Sequence, residues 1–105
     1  MKEKTVSELK AMLDAGETFQ LIDVREPHEY DICNLQAELI PLGTIISEAD
    51  RIRKDIPVII HCRSGARSAA AINELEKRFG YDNLYNLKGG IIAYANEIDS
   101  SISVY

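Results

Sequence analysis

Pro57-Val58-Ile59-Ile60-His61-Cys62-Arg63-Ser64-Gly65-Ala66-Arg67-Ser68 is the stretch that decides the fold. Its first half is a short, apolar, β-branched run of the kind buried inside a parallel sheet. Gly65 then permits a sharp turn. Ser68 is read as the start of a helix, with Ala69, Ile72, Leu75 and Phe79 as its apolar face and Gly80 as its stop. A buried strand therefore feeds a tight loop, and the loop feeds a helix.

The same alternation extends outward in both directions. Downstream, Leu84-Tyr85-Asn86-Leu87 predicts a strand, Lys88-Gly89-Gly90 a turn, and Ile91, Ile92, Ala95 and Ile98 a final helix, while residues 100–105 carry little pattern. Upstream, Ile45, Ile46, Ala49 and Ile52 recur at helical spacing, and a short strand is expected around Leu39-Ile40 before Pro41. Phe19-Gln20-Leu21-Ile22-Asp23-Val24 predicts another buried strand, turned by Arg25-Glu26-Pro27 into a helix running to about Ile32. Ser7 as an N-cap, Leu9, Met12 and Leu13 as a stripe, and Gly16 as a stop predict a helix over 7–15. Short strands alternating with helices specify a compact α/β domain with a largely parallel sheet. Ligands in such sheets sit at the carboxyl ends of the strands, where Cys62 lies.

Composition agrees with one folded domain spanning 1–105. The 105 residues are 46% hydrophobic and 28% charged, enough to build a core without a disulfide or metal staple. Two cysteines, Cys33 and Cys62, are too few for a disulfide framework, do not form a CxxC pair, and fit a reducing compartment. The Met1-Lys2-Glu3-Lys4 start lacks a secretory signal, and no run approaches the ~18 apolar residues that cross a bilayer, so a soluble, cytoplasmic protein without membrane contact is expected. A net charge of −5 argues against general nucleic-acid binding.

The loop after Cys62 has the marks of a reactive site. The first amides of the following helix point unpaired N–H groups back at it, forming an anion-sized cradle. Arg63 and Arg67 add two full charges. A thiol there ionises more readily than a free cysteine, whose pKa is roughly 8.5. A buried core cysteine gains little from such company, so this loop is read as the active site.

At these residues the chain resembles the rhodanese family of sulfurtransferases. His61-Cys62-Arg63-Ser64-Gly65-Ala66-Arg67-Ser68 is similar to that family's active-site loop. Leu21-Ile22-Asp23-Val24-Arg25-Glu26-Pro27-His28-Glu29-Tyr30 resembles its N-terminal signature, and Asn86-Leu87-Lys88-Gly89-Gly90-Ile91 its C-terminal one. The flavour is that of stand-alone bacterial domains or of the domain appended to MoeB-like adenylyltransferases, where Asp31-Ile32-Cys33 also has an echo. The resemblance implies a small, largely parallel five-stranded sheet flanked by helices on both faces, with the loop wrapped around the cysteine sulfur. It implies a ping-pong reaction in which Cys62 takes sulfur from thiosulfate or a protein persulfide and passes it, as a persulfide, to a thiol or cyanide. Arg63, Ser64, Gly65, Ala66, Arg67 and Ser68 would bind the persulfide, with Arg63 and Arg67 orienting an anionic donor. No cofactor or metal is implied, and a small-molecule or protein sulfur partner and a monomer are expected. One departure stands out: the family's His-Ile-x-Gly-Ala element is replaced by Asn34-Leu35-Gln36-Ala37-Glu38, which predicts a changed local turn and pocket rim.

Other residues have plainer readings. Asp23 and Arg25 are read as a buried ion pair rather than catalytic groups. His61 precedes Cys62 on a strand and so points to the opposite face, which makes it a poor general base. His28 is expected on a surface helix, and Cys33 as a packed residue rather than a resolving thiol. Two histidines and two cysteines at unrelated spacings do not form a metal site. A cysteine phosphatase uses a related strand, loop and helix, but its C-x5-R spacing is one residue longer than Cys62 to Arg67. A non-catalytic interaction or sulfur-relay module is the other alternative, weakened because the cysteine and both arginines are present.

Overall fold

A computed structural model describes all residues, Met1–Tyr105. Nine regular elements follow in chain order: β1 (Glu3–Lys4), α1 (Val6–Asp14), β2 (Gln20–Asp23), α2 (Pro27–Ile32), β3 (Glu38–Leu39), β4 (Val58–His61), α3 (Ala66–Phe79), β5 (Leu84–Leu87) and α4 (Gly90–Glu97). The strands form one five-stranded sheet in the order β1-β5-β4-β2-β3, with every pairing parallel. All strand carboxyl ends therefore lie along one edge.

Residue type explains the layering. All four residues of β4 are buried, as its continuous apolar run requires. Val58 and Ile60 face one core with Ala71, Ile72 and Leu75 of α3, while Ile59 faces a second core with Val6, Leu9 and Met12 of α1 and Tyr94 of α4. Helices thus cover both faces of the sheet. No helix is long and apolar enough to cross a membrane.

Four expectations need correction. The first helix is capped by Thr5, not Ser7: the Thr5 hydroxyl accepts from the Glu8 amide at 3.1 Å while the Glu8 carboxylate accepts from the Thr5 amide at 2.9 Å, a reciprocal capping box. Residues 42–52 do not form an α-helix but two 3-10 turns, Leu42–Thr44 and Ala49–Arg51. There the Thr44 and Ser47 hydroxyls donate to the Pro41 and Thr44 carbonyls, competing with a helical ladder. Ile45, Ala49 and Ile52 are nonetheless buried in the core, as read. In α3 it is Ala71, not Phe79, that completes the buried face, and Phe79 is exposed. The helix also begins at Ala66, two residues before Ser68.

The short strand expected around Leu39-Ile40 is present one residue earlier, with Ile40 buried behind it. At the departure from the family element, the chain makes a left-handed turn at Gln36 (φ 59°), whose amide donates to the Asn34 side-chain oxygen at 2.9 Å.

Candidate active site

Cys62 leaves the central strand β4 at its carboxyl end, between the turns that follow β2 and β5. Gly65 stands three residues later at the N-cap of α3 with φ 114°. A Cβ there would meet only ordinary contacts, so the backbone conformation, not space, requires glycine. Because Gly65 ends the loop, Ala66, Arg67 and Ser68 form the first turn of α3, and of these the Ser68 amide is directed at the sulfur.

The sulfur sits inside that turn. Cys62 Sγ accepts from the Gly65 amide at 3.1 Å and the Ser68 amide at 3.5 Å, and it lies 3.4 Å from Ser68 Oγ. Cys62 is 1% exposed. Burial pushes its thiol up, but the Ser68 hydroxyl and the amides of Ser68, Gly65 and Ser64 together bring it below the ordinary cysteine value. Ser68 Oγ is itself 2.6 Å from Asn86 Oδ1, and Asn86 Nδ2 donates to the Gly65 carbonyl at 3.1 Å. Asn86 on β5 thus braces both ends of the cradle.

The neighbouring turns hold the loop from either side. The Val24 amide donates to the His61 carbonyl at 3.0 Å, while the Ile91 and Ile92 amides donate to the Cys62 and Arg63 carbonyls at 3.0 and 3.2 Å. Gly90 makes this docking possible. A Cβ on it would stand 2.7 Å from the Cys62 oxygen and 2.6 Å from the Arg63 carbonyl carbon. Gly89 and Gly90, with φ of 81° and 61°, form the strand-to-helix turn expected of them.

The charged residues pair among themselves. Arg67 makes a two-pronged contact with Glu29, Nη1 to Oε1 at 2.6 Å and Nη2 to Oε2 at 2.9 Å. That guanidinium holds the Glu29 carboxyl well below the usual carboxylate range, against the opposing effect of burial. Arg63 donates through Nε, at 3.1 Å, and Nη2 to the main-chain oxygen of Tyr105. Both arginines expected to face a donor are therefore engaged here. Arg25 and Asp23 form a buried ion pair, with Arg25 Nη2 2.8 Å from Asp23 Oδ2 and the two residues fully inaccessible. Arg25 Nη2 also donates to the Cys33 carbonyl at 2.7 Å.

The remaining candidates stand apart from the sulfur. His61 Nδ1 lies 3.3 Å from the Cys62 carbonyl and Nε2 lies 3.6 Å from Asp23, without a hydrogen-bond partner. Burial pushes the imidazole below its usual value, against the opposing pull of Asp23. Cys33 caps the end of α2, half-buried, and His28 is exposed on that helix.

Sequence reasoning missed Glu29, Asn86, Gly90 and Tyr105 as parts of the site. Two of them carried a usable signal. Alternation along β5 puts Asn86 on the same face as Leu84, the face that packs on α3. Glu29 follows Pro27 by two positions in the first turn of α2, the N3 place from which its carboxylate accepts from the Glu26 amide at 3.0 Å. Tyr105 had no local signal, because its contacts are all made across the fold.

Comparison with known proteins agrees with this architecture. The family model for the rhodanese-like domain matches residues 5–97. Over 104 residues the chain is 36% identical to the probable adenylyltransferase/sulfurtransferase MoeZ of Mycobacterium tuberculosis (strain CDC 1551 / Oshkosh), covering 96% of this chain and 26% of MoeZ. It is 30% identical to the adenylyltransferase and sulfurtransferase MOCS3 of Drosophila virilis, covering 81% of this chain and 21% of MOCS3. The chain thus spans only a minor part of the length of these relatives. The crystal structure of a rhodanese-like domain protein from Staphylococcus aureus superposes with a TM-score of 0.82 at 32% identity, covering 100% of this chain and 99% of that one.

Proposed function

This chain belongs to the rhodanese-like domain family, and from that premise we propose that it transfers sulfane sulfur carried as a persulfide on Cys62. The observation that carries the reading is the cradle around Sγ: two amides aimed at one buried sulfur, with the Ser68 hydroxyl 3.4 Å away. Such donors stabilise an anion on sulfur, whether the thiolate that attacks or the persulfide that results.

The steps balance without a cofactor. The Cys62 thiolate attacks the outer sulfur of thiosulfate; a new S–S bond forms, the old one breaks, and sulfite leaves with the electron pair. With a protein persulfide as donor, the leaving group is that protein's thiolate. An acceptor then attacks the terminal sulfur of the Cys62 persulfide. Cyanide leaves as thiocyanate, a thiol leaves as a persulfide, and the Cys62 thiolate is regenerated. The amides of the 63–68 loop hold the anionic sulfur in each state. His61 acts as packing, since both of its nitrogens face groups other than the thiol.

The relatives' names include sulfurtransferase activity, which supports a sulfur-transfer reaction here. The test is sulfur transfer from thiosulfate to cyanide by wild type, Cys62→Ser and Cys33→Ser. Transfer is expected in wild type and Cys33→Ser and absent in Cys62→Ser, with folding retained. Undiminished turnover in Cys62→Ser would overturn the assignment. Hydrolysis of an aryl phosphate is expected to be absent throughout, consistent with the C-x4-R spacing and with Arg67 held by Glu29.

A further inference from the structure

Arg67 places a full positive charge one residue before Ser68, whose amide lies 3.5 Å from Cys62 Sγ. An unpaired guanidinium there would draw small anions toward the sulfur. Glu29 prevents this. Reaching over from α2, it holds Arg67 through two parallel contacts of 2.6 and 2.9 Å. The carboxylate is itself fixed, since it also accepts from the Glu26 amide at 3.0 Å and from the Tyr105 hydroxyl at 2.6 Å.

We propose that Glu29 is a specificity-determining residue, whose fixed pairing with Arg67 neutralises the turn beside Cys62 and selects against small, multiply charged anionic donors such as thiosulfate. The bearing on sulfur donors rests on the sulfur-transfer reading; the charge discrimination at Cys62 does not.

Three observations support this role. Both partners stay ionised: Arg67 keeps Glu29 charged against burial, and Glu29 does the same for Arg67, with a smaller contribution from Cys62 that puts the guanidinium within electrostatic reach of the sulfur. The Glu29 side chain is 9% exposed and cannot swing aside without giving up four hydrogen bonds, so the pair is a standing feature of the site. The Arg67 side chain is 34% exposed, so what an arriving reagent meets is the pair and not a lone cation. Opposite charges this close act at a distance as a dipole, and their attraction for an anion falls off faster than that of a single charge. The Gly65 and Ser68 amides still hold the reacting sulfur, whatever charge the rest of the donor carries.

The test uses the full chain as wild type, Glu29→Gln, Arg67→Gln and the double variant. Glutamine keeps the size and an accepting oxygen of Glu29 while removing its charge. Two reagents of nearly equal shape read the charge at Cys62: iodoacetate, an anion, and iodoacetamide, which is neutral. Both are followed at the Cys62 peptide by mass spectrometry, and because both consume the same thiolate, their rate ratio cancels any change in its ionisation. The iodoacetate-to-iodoacetamide ratio is expected to rise about two- to fivefold in Glu29→Gln and to fall by a similar factor in Arg67→Gln. In the double variant it returns close to the wild-type value. Salt at about 1 M, where the Debye length is about 3 Å, is expected to compress these differences. KM for thiosulfate, a dianion, is expected to fall about two- to tenfold in Glu29→Gln.

A ratio in Glu29→Gln no higher than in wild type would overturn the proposal. So would a double variant that matches Arg67→Gln, because Glu29 would then carry no electrostatic weight; this comparison decides if Glu29→Gln alone does not fold. Ratios in the expected order with no variant loaded by thiosulfate would leave the charge discrimination standing and remove the sulfur-transfer reading. Loading of wild type with unmoved ratios would do the reverse.

Discussion

Cys62 sets two opposing effects against each other. Burial disfavours charge on its sulfur, and the donors of the α3 first turn favour it; the donors win. Ser68 contributes most, through both its hydroxyl and its amide, so Ser68→Ala isolates the hydroxyl. A cysteine with a lowered pKa stays reactive below the ordinary value of about 8.5 and loses reactivity as pH falls through its own pKa. In Ser68→Ala that midpoint is expected to rise, which slows alkylation at neutral pH and leaves it unchanged once both proteins are fully ionised. The pH profile of Cys62 alkylation checks this, and an unmoved midpoint would remove Ser68 from the account. The cysteine and its flanking glycine were legible because they carry a local turn chemistry. Asn86, which holds Ser68 from the neighbouring strand, required knowledge of which strands pair.

Elements place the site because parallel strands end on one edge, and three turns meet there. The tightest meeting is Gly90 against the Cys62 and Arg63 carbonyls. A methyl group added at Gly90 collides with backbone, which cannot rotate away as a side chain can, and it also penalises φ of 61°. Gly90→Ala is expected to cost about 1–3 kcal/mol of stability and to reduce sulfur transfer by shifting the loop. Gly43→Ala, in open space, is the control. Urea unfolding together with turnover checks the pair, and equal behaviour of the two variants would contradict the docking role. At this scale the sequence was readable wherever pattern and punctuation coincide. Helix α2 and strand β5 have the expected bounds because Pro27, the Lys88-Gly89-Gly90 turn and the apolar run mark their ends. Strand β1 escaped notice, since Glu3 and Lys4 have no apolar pattern and become a strand only by pairing with Asn86 and Leu87. Residues 42–52 show correct core positions at helical spacing without a continuous helix, because hydroxyl-to-carbonyl bonds divide the segment.

Over the whole molecule, two cores on opposite faces of the sheet fix the strands, and a buried ion pair fixes the turn after β2. Arg25→Ala leaves the Asp23 carboxylate buried without its guanidinium, and a loss of about 3–5 kcal/mol in unfolding free energy is expected. Chemical denaturation measures it; a loss under about 1 kcal/mol would mean that Asp23 finds another partner or takes up a proton. The pairing of Asp23 with Arg25 and of Glu29 with Arg67 leaves the cradle relying on amides and a hydroxyl to hold sulfur. That reliance is tested most directly by the intact mass of the protein after brief thiosulfate treatment, in wild type and Cys62→Ser. The account predicts a gain of one sulfur atom in wild type alone, mapped to the Cys62 peptide and removed by cyanide. A gain that persists in Cys62→Ser, or one that maps to Cys33, would contradict it.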